Sequence, residues 1–202
     1  MRAASCFRRI GRPFFNRDPS IVAAELIGHG IVRRIEETLV GGVIVETEAY
    51  LSAGDLASHS RNGSTRRCQS MFGDPGTLYV YSIHAKYCMN VVTQKRGVGS
   101  AVLIRAIEPV WGIERMQQLR GHGELYRLTR GPAMLCQSLG ITTADDGIDL
   151  ITSDNLWIVR LPSRQVEIGS STRIGISAGD DLPLRFYERA NRFVSGTAKH
   201  RA

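Results

Sequence analysis

Apolar positions along the chain fall in short blocks that alternate with polar residues more often than they cycle at helical spacing. A period of two marks a half-buried strand, and a period near 3.6 marks a helix face. Gly42 to Tyr50 reads as a strand, with His29 to Arg34 as its hairpin partner across a Gly41-Gly42 turn. Thr77 to Ile83 alternates Leu78, Val80 and Ser82 on one face with Tyr79, Tyr81 and Ile83 on the other. Tyr87 to Val92 and Ser100 to Ile107 read as further strands, the second stopped by Pro109. Short strands are expected near Leu156 to Leu161, Arg173 to Ser177 and Leu184 to Tyr187. Asp18-Pro19 sets an N-cap before a proline at the first helical position, and Ile21, Ala24 and Leu26 supply the apolar face of a helix that stops at Gly28. Trp111 to Leu119 and Pro132 to Leu139 read as helices. The pattern has no internal repeat and no regular βα alternation. It predicts an α+β single domain: a mixed, mostly antiparallel, curved and barrel-like sheet with surrounding helices. The domain is expected over 14–196, after an N-terminal segment 1–13 that need not be ordered and before a basic tail, 197–202.

Composition narrows the partners more than the fold. A chain of 202 residues with 43% hydrophobic and 22% charged residues can build one ordinary core. The net charge of +7 favours a polyanion, nucleic acid first, although a generally basic protein has the same sum. Cys6, Cys68, Cys88 and Cys136 form no CxxC pair and have no histidines at finger spacing. They read as free buried thiols in a reducing compartment, with no metal. No apolar run approaches the ~18 residues of a membrane span. Residues 1–16 are arginine-rich and free of acids, which suits either an organelle transit peptide or a disordered start followed by the fold; the latter is favoured.

The residues with chemical potential cluster between positions 46 and 81. Strand alternation puts Glu46, Glu48 and Tyr50 on one face and Val45, Thr47 and Ala49 on the other. Two carboxylates on an otherwise apolar strand either face water or have partners and a task. His59 follows, then Arg61-Asn62-Gly63-Ser64-Thr65-Arg66-Arg67, a phosphate-contact segment or an ordinary surface loop. Tyr79 and Tyr81 are either cross-strand packing or a platform for a stacked base.

Taken in order, these stretches resemble the alkyladenine (3-methyladenine) DNA glycosylase family in its mammalian-type branch. The resemblance rests on Val45-Glu-Thr-Glu-Ala-Tyr50, Ser58-His-Ser-Arg61, Met71-Phe72, Pro75-Gly-Thr-Leu-Tyr-Val-Tyr81, Tyr87-Cys-Met-Asn90 and Val102-Leu-Ile-Arg-Ala-Ile-Glu-Pro109. It continues through Gly131-Pro132, Leu135-Cys-Gln137, Arg173-Ile-Gly175 and Pro183-Leu-Arg-Phe-Tyr187. It implies a monofunctional enzyme that flips alkylated or deaminated purines out of duplex DNA and hydrolyses the N-glycosidic bond in base excision repair. Glu48 is then the general base and Arg105 an active-site arginine. Tyr50, with Tyr81 and His59 opposite, forms the base pocket, and Asn90 excludes guanine. Where the family has an Ile-Tyr-Gly wedge, this chain has Ser82-Ile83-His84-Ala85-Lys86-Tyr87, one residue shorter. His84 is the implied wedge and Lys86 a phosphate contact, with Arg61, Arg66 and Arg67 on the DNA backbone. No cofactor is implied. The partner is double-stranded DNA bound by a monomer at the bacterial nucleoid, or in the nucleus or mitochondrion of a eukaryote. Two other readings remain open: a non-catalytic nucleic-acid binding module of the same fold, and a small-molecule hydrolase using Glu46 and Glu48. The net charge and the arginine loop disfavour the second.

Overall fold

A computed structural model describes residues 8–121, 123–162, 165–179 and 181–196. Eight strands form one antiparallel sheet: β1 (Gly30–Ile35), β2 (Thr38–Tyr50), β3 (Leu78–Ile83), β4 (Lys86–Val92), β5 (Ala101–Trp111), β6 (Leu156–Val159), β7 (Ile168–Ser171) and β8 (Arg185–Glu188). Helices α1 (Arg12–Phe15), α2 (Pro19–Leu26), α3 (Ile113–Arg120) and α4 (Pro132–Ser138) surround it. The main path runs β3-β4-β5-β2-β1-β6, with β8 on β2 and β7 on β8.

The organising element is β2. Of its thirteen residues the stretch from Gly41 to Tyr50 pairs with β5 along one edge, while the other edge is shared by β1 in the first half and β8 in the second. Register shifts around Ile44, Glu46 and Thr47 mark bulges, which bend a strand and sharpen its twist. They also change the expected alternation. Thr47 faces α2, giving its hydroxyl to the Ala23 carbonyl, and Ala49 joins the main core. Val45 instead packs in a separate cluster with Ala106, Tyr187, Phe193 and Val194.

Two sequence expectations fail for related reasons. The β1–β2 turn lies at Glu36-Glu37, not at Gly41-Gly42, with Glu36 left-handed at φ 54°. The glycines are inside β2, where a Cβ on Gly41 would sit 2.1 Å from the Ile31 carbonyl oxygen and one on Gly42 2.0 Å from that of Glu108. They mark close backbone approach rather than a turn. Pro109 likewise does not end β5, which runs on to Trp111. β4 pairs with β5 only through Ala101, Val102 and Leu103, so the missing N–H at Pro109 costs no bond on that side.

The remaining elements differ mainly in their ends. α2 has its Asp18 cap on the Ser20 amide and Pro19 in the first turn, but its buried face is Val22, Ala23 and Leu26, with Ile21 half exposed. α3 begins after a left-handed Gly112, later than Trp111. Residues 173–177 are not a strand; the strand in that region is β7, which precedes them. Before residue 14, Arg9 bridges to Val159 and Ile10 is buried in the core. Positions 1–7 and 197–202, including Cys6, lie outside the described residues, while Cys68, Cys88 and Cys136 are free and buried. The main core packs α2 and α4 against the sheet, and each fully buried Leu, Ile or Phe there contributes about 1.5–3 kcal/mol. No helix among the described residues is long and apolar enough to cross a membrane.

Candidate active site

Strand register assembles the site. Tyr79 on β3, Asn90 on β4, Leu103 on β5, Glu48 on β2 and Arg185 on β8 are successive partners in one row across the sheet. Tyr81 and Cys88 pair in a neighbouring row. Residues in such rows project from a common face. A cavity of about 360 Å³ opens over it, walled by Tyr50, His59, Tyr79, Tyr81, Asn90 and Arg105 and closed by Leu103 and the 174–176 segment. Its size is in the range of small-molecule sites.

Glu48 lies immediately behind this lining, fully buried. Three groups hold it, and all three residues line the cavity. The Tyr50 hydroxyl donates to Oε2 at 3.0 Å, the Ile174 amide donates to Oε1 at 2.8 Å, and Arg105 Nη1 lies 3.0 Å from Oε1. Burial and the adjoining carboxylate both push the Tyr50 phenol upward, so it stays a donor. Two places along β2, Glu46 has a different surrounding. It accepts from Arg105 Nε at 2.9 Å, Arg185 Nε at 2.7 Å, the Ser195 amide at 2.7 Å and the Ser195 hydroxyl at 2.9 Å. Burial alone would raise its pKa, but Arg105 and Arg185 outweigh burial and hold it below the usual carboxylate value. Arg105 joins the two acids. Burial opposes its charge, but Glu48 and Glu46 more than compensate and raise its pKa.

One wall of the cavity is an aromatic corner. His59 meets Tyr81 edge to face at 4.5 Å between centroids, and its Nδ1 lies 2.8 Å from the Tyr79 hydroxyl. Burial, then the positive charges of Arg67 and Arg61, lower the His59 pKa, which favours the neutral ring at pH 7. Asn90 is oriented by donating its side-chain amide to the Tyr79 carbonyl at 3.1 Å.

The remaining candidates lie around the mouth. His84 is exposed at the tip of the two-residue β3–β4 turn, where His84 and Ala85 are both left-handed, at φ 47° and 59°. Such a turn matches the twist of its strands. Lys86 is exposed beside it, and Ile83, given no site role from the sequence, is 43% exposed and lines the cavity. Arg61, Arg66 and Arg67 are exposed. Arg61 donates to the Leu56 carbonyl and Arg67 to that of Ser82, and both border a second depression of about 370 Å³ next to His59.

Sequence reasoning missed Arg185, Ser195, the Ile174 amide and the Arg173–Asp55 pair. Arg185, alone between apolar residues in Leu184-Arg-Phe-Tyr187, was the legible signal of a buried cation. Among the described residues no group of His, Cys, Asp or Glu is placed to hold a metal ion.

A family model described as methylpurine-DNA glycosylase matches residues 13–192. The chain belongs to that family. It is 54% identical over 199 residues to a protein of Rhodopirellula baltica provisionally named a 3-methyladenine DNA glycosylase, covering 93% of this chain and 83% of that one. Under the same name, a Clostridium perfringens protein is 41% identical over 202 residues, covering 93% and 98%. One of Methanoculleus marisnigri is 46% identical over 188 residues, covering 90% and 96%. The methylpurine-DNA glycosylase match thus spans both acids, the aromatic corner and the 173–176 segment.

Proposed function

We propose that this protein is a monofunctional DNA glycosylase that accepts a damaged purine flipped from duplex DNA and hydrolyses its N-glycosidic bond with the help of Glu48. The observation that carries the reading is where the donors to the two buried acids come from. Glu46 is tied to Arg105, Arg185 and Ser195, whereas every group that holds Glu48 belongs to a residue lining the aromatic cavity.

A sugar carbon in stacked duplex DNA is out of reach, so the nucleotide must leave the stack, at a cost of a few kcal/mol that is least for damaged or mispaired bases. The base enters between Tyr50 and the Tyr81–His59 wall, where an electron-poor purine gains stacking and cation–π attraction. Asn90, fixed by Tyr79, offers its remaining polar edge to the base and discriminates against guanine. As the base departs, positive charge grows on the sugar, and the Glu48 anion stabilises it while accepting a proton from the attacking water. Arg105 orients Glu48 and supplies its counter-charge. No lysine among the described residues lines the cavity, which fits hydrolysis to an abasic site without strand cleavage. Arg61, Arg66, Arg67 and Lys86 face the phosphates. His84, with Ile83 beside it, fills the gap left in the helix. The enzyme acts as a monomer, at the nucleoid of a bacterial cell.

The test is an alkali-cleavage assay on duplexes carrying 3-methyladenine, ethenoadenine or hypoxanthine. Strand scission that appears only after alkali is the expected result. Salt-sensitive binding with no release of any base would leave a binding module of this fold instead.

A further inference from the structure

We propose that Arg173 is a positioning residue that sets the electronic character of the Tyr50 wall, and so the ratio at which cationic and neutral purines are released. This rests on the reading that a flipped base stacks on Tyr50.

The Arg173 side chain is fully buried, and its guanidinium carbon lies 4.7 Å from the centre of the Tyr50 ring. Tyr50 lines the cavity and Arg173 does not, so the guanidinium covers the ring face turned away from the cavity. Its two terminal nitrogens are committed to acceptors: both Asp55 oxygens at 2.7 Å, the Ala49 carbonyl at 3.0 Å and the Gly179 carbonyl at 3.1 Å. A guanidinium bonded along its edge keeps a flat face for an aromatic ring, which an ammonium cannot match.

The position also touches two other parts of the site. Asp55 also accepts from the Leu51 and Ala57 amides, which shapes the segment leading to His59. The residue after Arg173 is Ile174, whose amide holds Glu48.

A cation on one ring face draws π density toward itself and leaves the other face less negative. A cationic base stacked on that second face then gains less than it would on an unpolarised tyrosine, while a neutral base is little affected. Cationic alkylpurines are also the better leaving groups and are released faster to begin with. Arg173 therefore narrows the gap between the two lesion classes.

The experiment measures single-turnover release of 3-methyladenine, cationic in its nucleotide, and of neutral hypoxanthine from the same duplex context. Arg173→Met is expected to slow both by loosening Tyr50 and Glu48, yet to raise the cationic-to-neutral ratio about two- to fivefold. In a Tyr50→Leu background, which has no π face, the same substitution is expected to leave the ratio unchanged. An unchanged ratio in the Tyr50 protein, or an equal change in the Tyr50→Leu background, overturns the proposal. Should Arg173→Met fail to fold by circular dichroism, Asp55→Asn supplies the converse test. It keeps the cation and removes its counter-charge, so the ratio should fall, and a constant or rising ratio overturns the proposal. Absence of release of either base by the unaltered protein would instead contradict the glycosylase reading itself.

Discussion

Glu46 and Glu48 lie two residues apart on one strand, are equally buried and share Arg105, yet their surroundings differ. Glu46 is enclosed by Arg105, Arg185 and both donors of Ser195. Its partners come from β2's neighbours and the C-terminal segment, so it ties β5, β8 and residue 195 to β2. Glu48 is held by fewer groups, each belonging to a residue on the cavity wall. Burial alone therefore does not distinguish them. What separates the two is the source of their donors, which for Glu48 all border a space where a small molecule fits.

The largest expected effect comes from removing what the two acids share. Arg105→Met leaves two buried carboxylates without their common cation, and breaking a buried pair costs about 3–5 kcal/mol. Denaturant unfolding should report that loss, and base release should vanish with it. Glu46→Gln should separate the pair: unfolding free energy falls by about 3 kcal/mol as Arg105 and Arg185 lose their anion, while release by the folded fraction falls no more than about tenfold. A rate loss as large as that of a Glu48 substitution would erase the distinction. Tyr50→Phe acts on the other acid, removing its phenol donor. Release should slow by roughly tenfold, with unfolding free energy changed by about 1 kcal/mol.

The smallest effect is in acid. The folded pKa of Glu46 is lowered, because Arg105 and Arg185 outweigh burial, and that of Asp55 is lowered because Arg173 outweighs it. A depressed carboxylate contributes stability that is complete above its unfolded value, near pH ~4, and is lost as pH falls through its lower folded value. Unfolding free energy should thus decline through that acid window. In Glu46→Gln the decline should be shallower.

Much of this was legible in the chain. Alternation in β2 and β3 placed Glu48, Tyr50 and the Tyr79–Tyr81 pair, because a period of two needs no tertiary knowledge. The Asp18-Pro19 cap was legible because its bond is local. What escaped was long-range. Gly41 and Gly42 suggested a turn, but their lack of a side chain serves contact with Ile31 and Glu108, visible only once three strands are paired. The Glu36 turn carries no glycine to announce it. The shift at Val45 depends on a bulge in pairing with β5. Besides Tyr50 and Arg105, the partners of the acids come from residues 174, 185 and 195, more than a hundred positions away, and no local pattern links them to β2.

Single-turnover release of hypoxanthine by Glu48→Gln, with lesion-duplex binding measured on the same sample, tests the central claim most directly. The account predicts binding close to that of the unaltered protein and release slowed by about 10²–10⁴-fold. Release within about tenfold of the unaltered rate would contradict it and move the chemistry to another group.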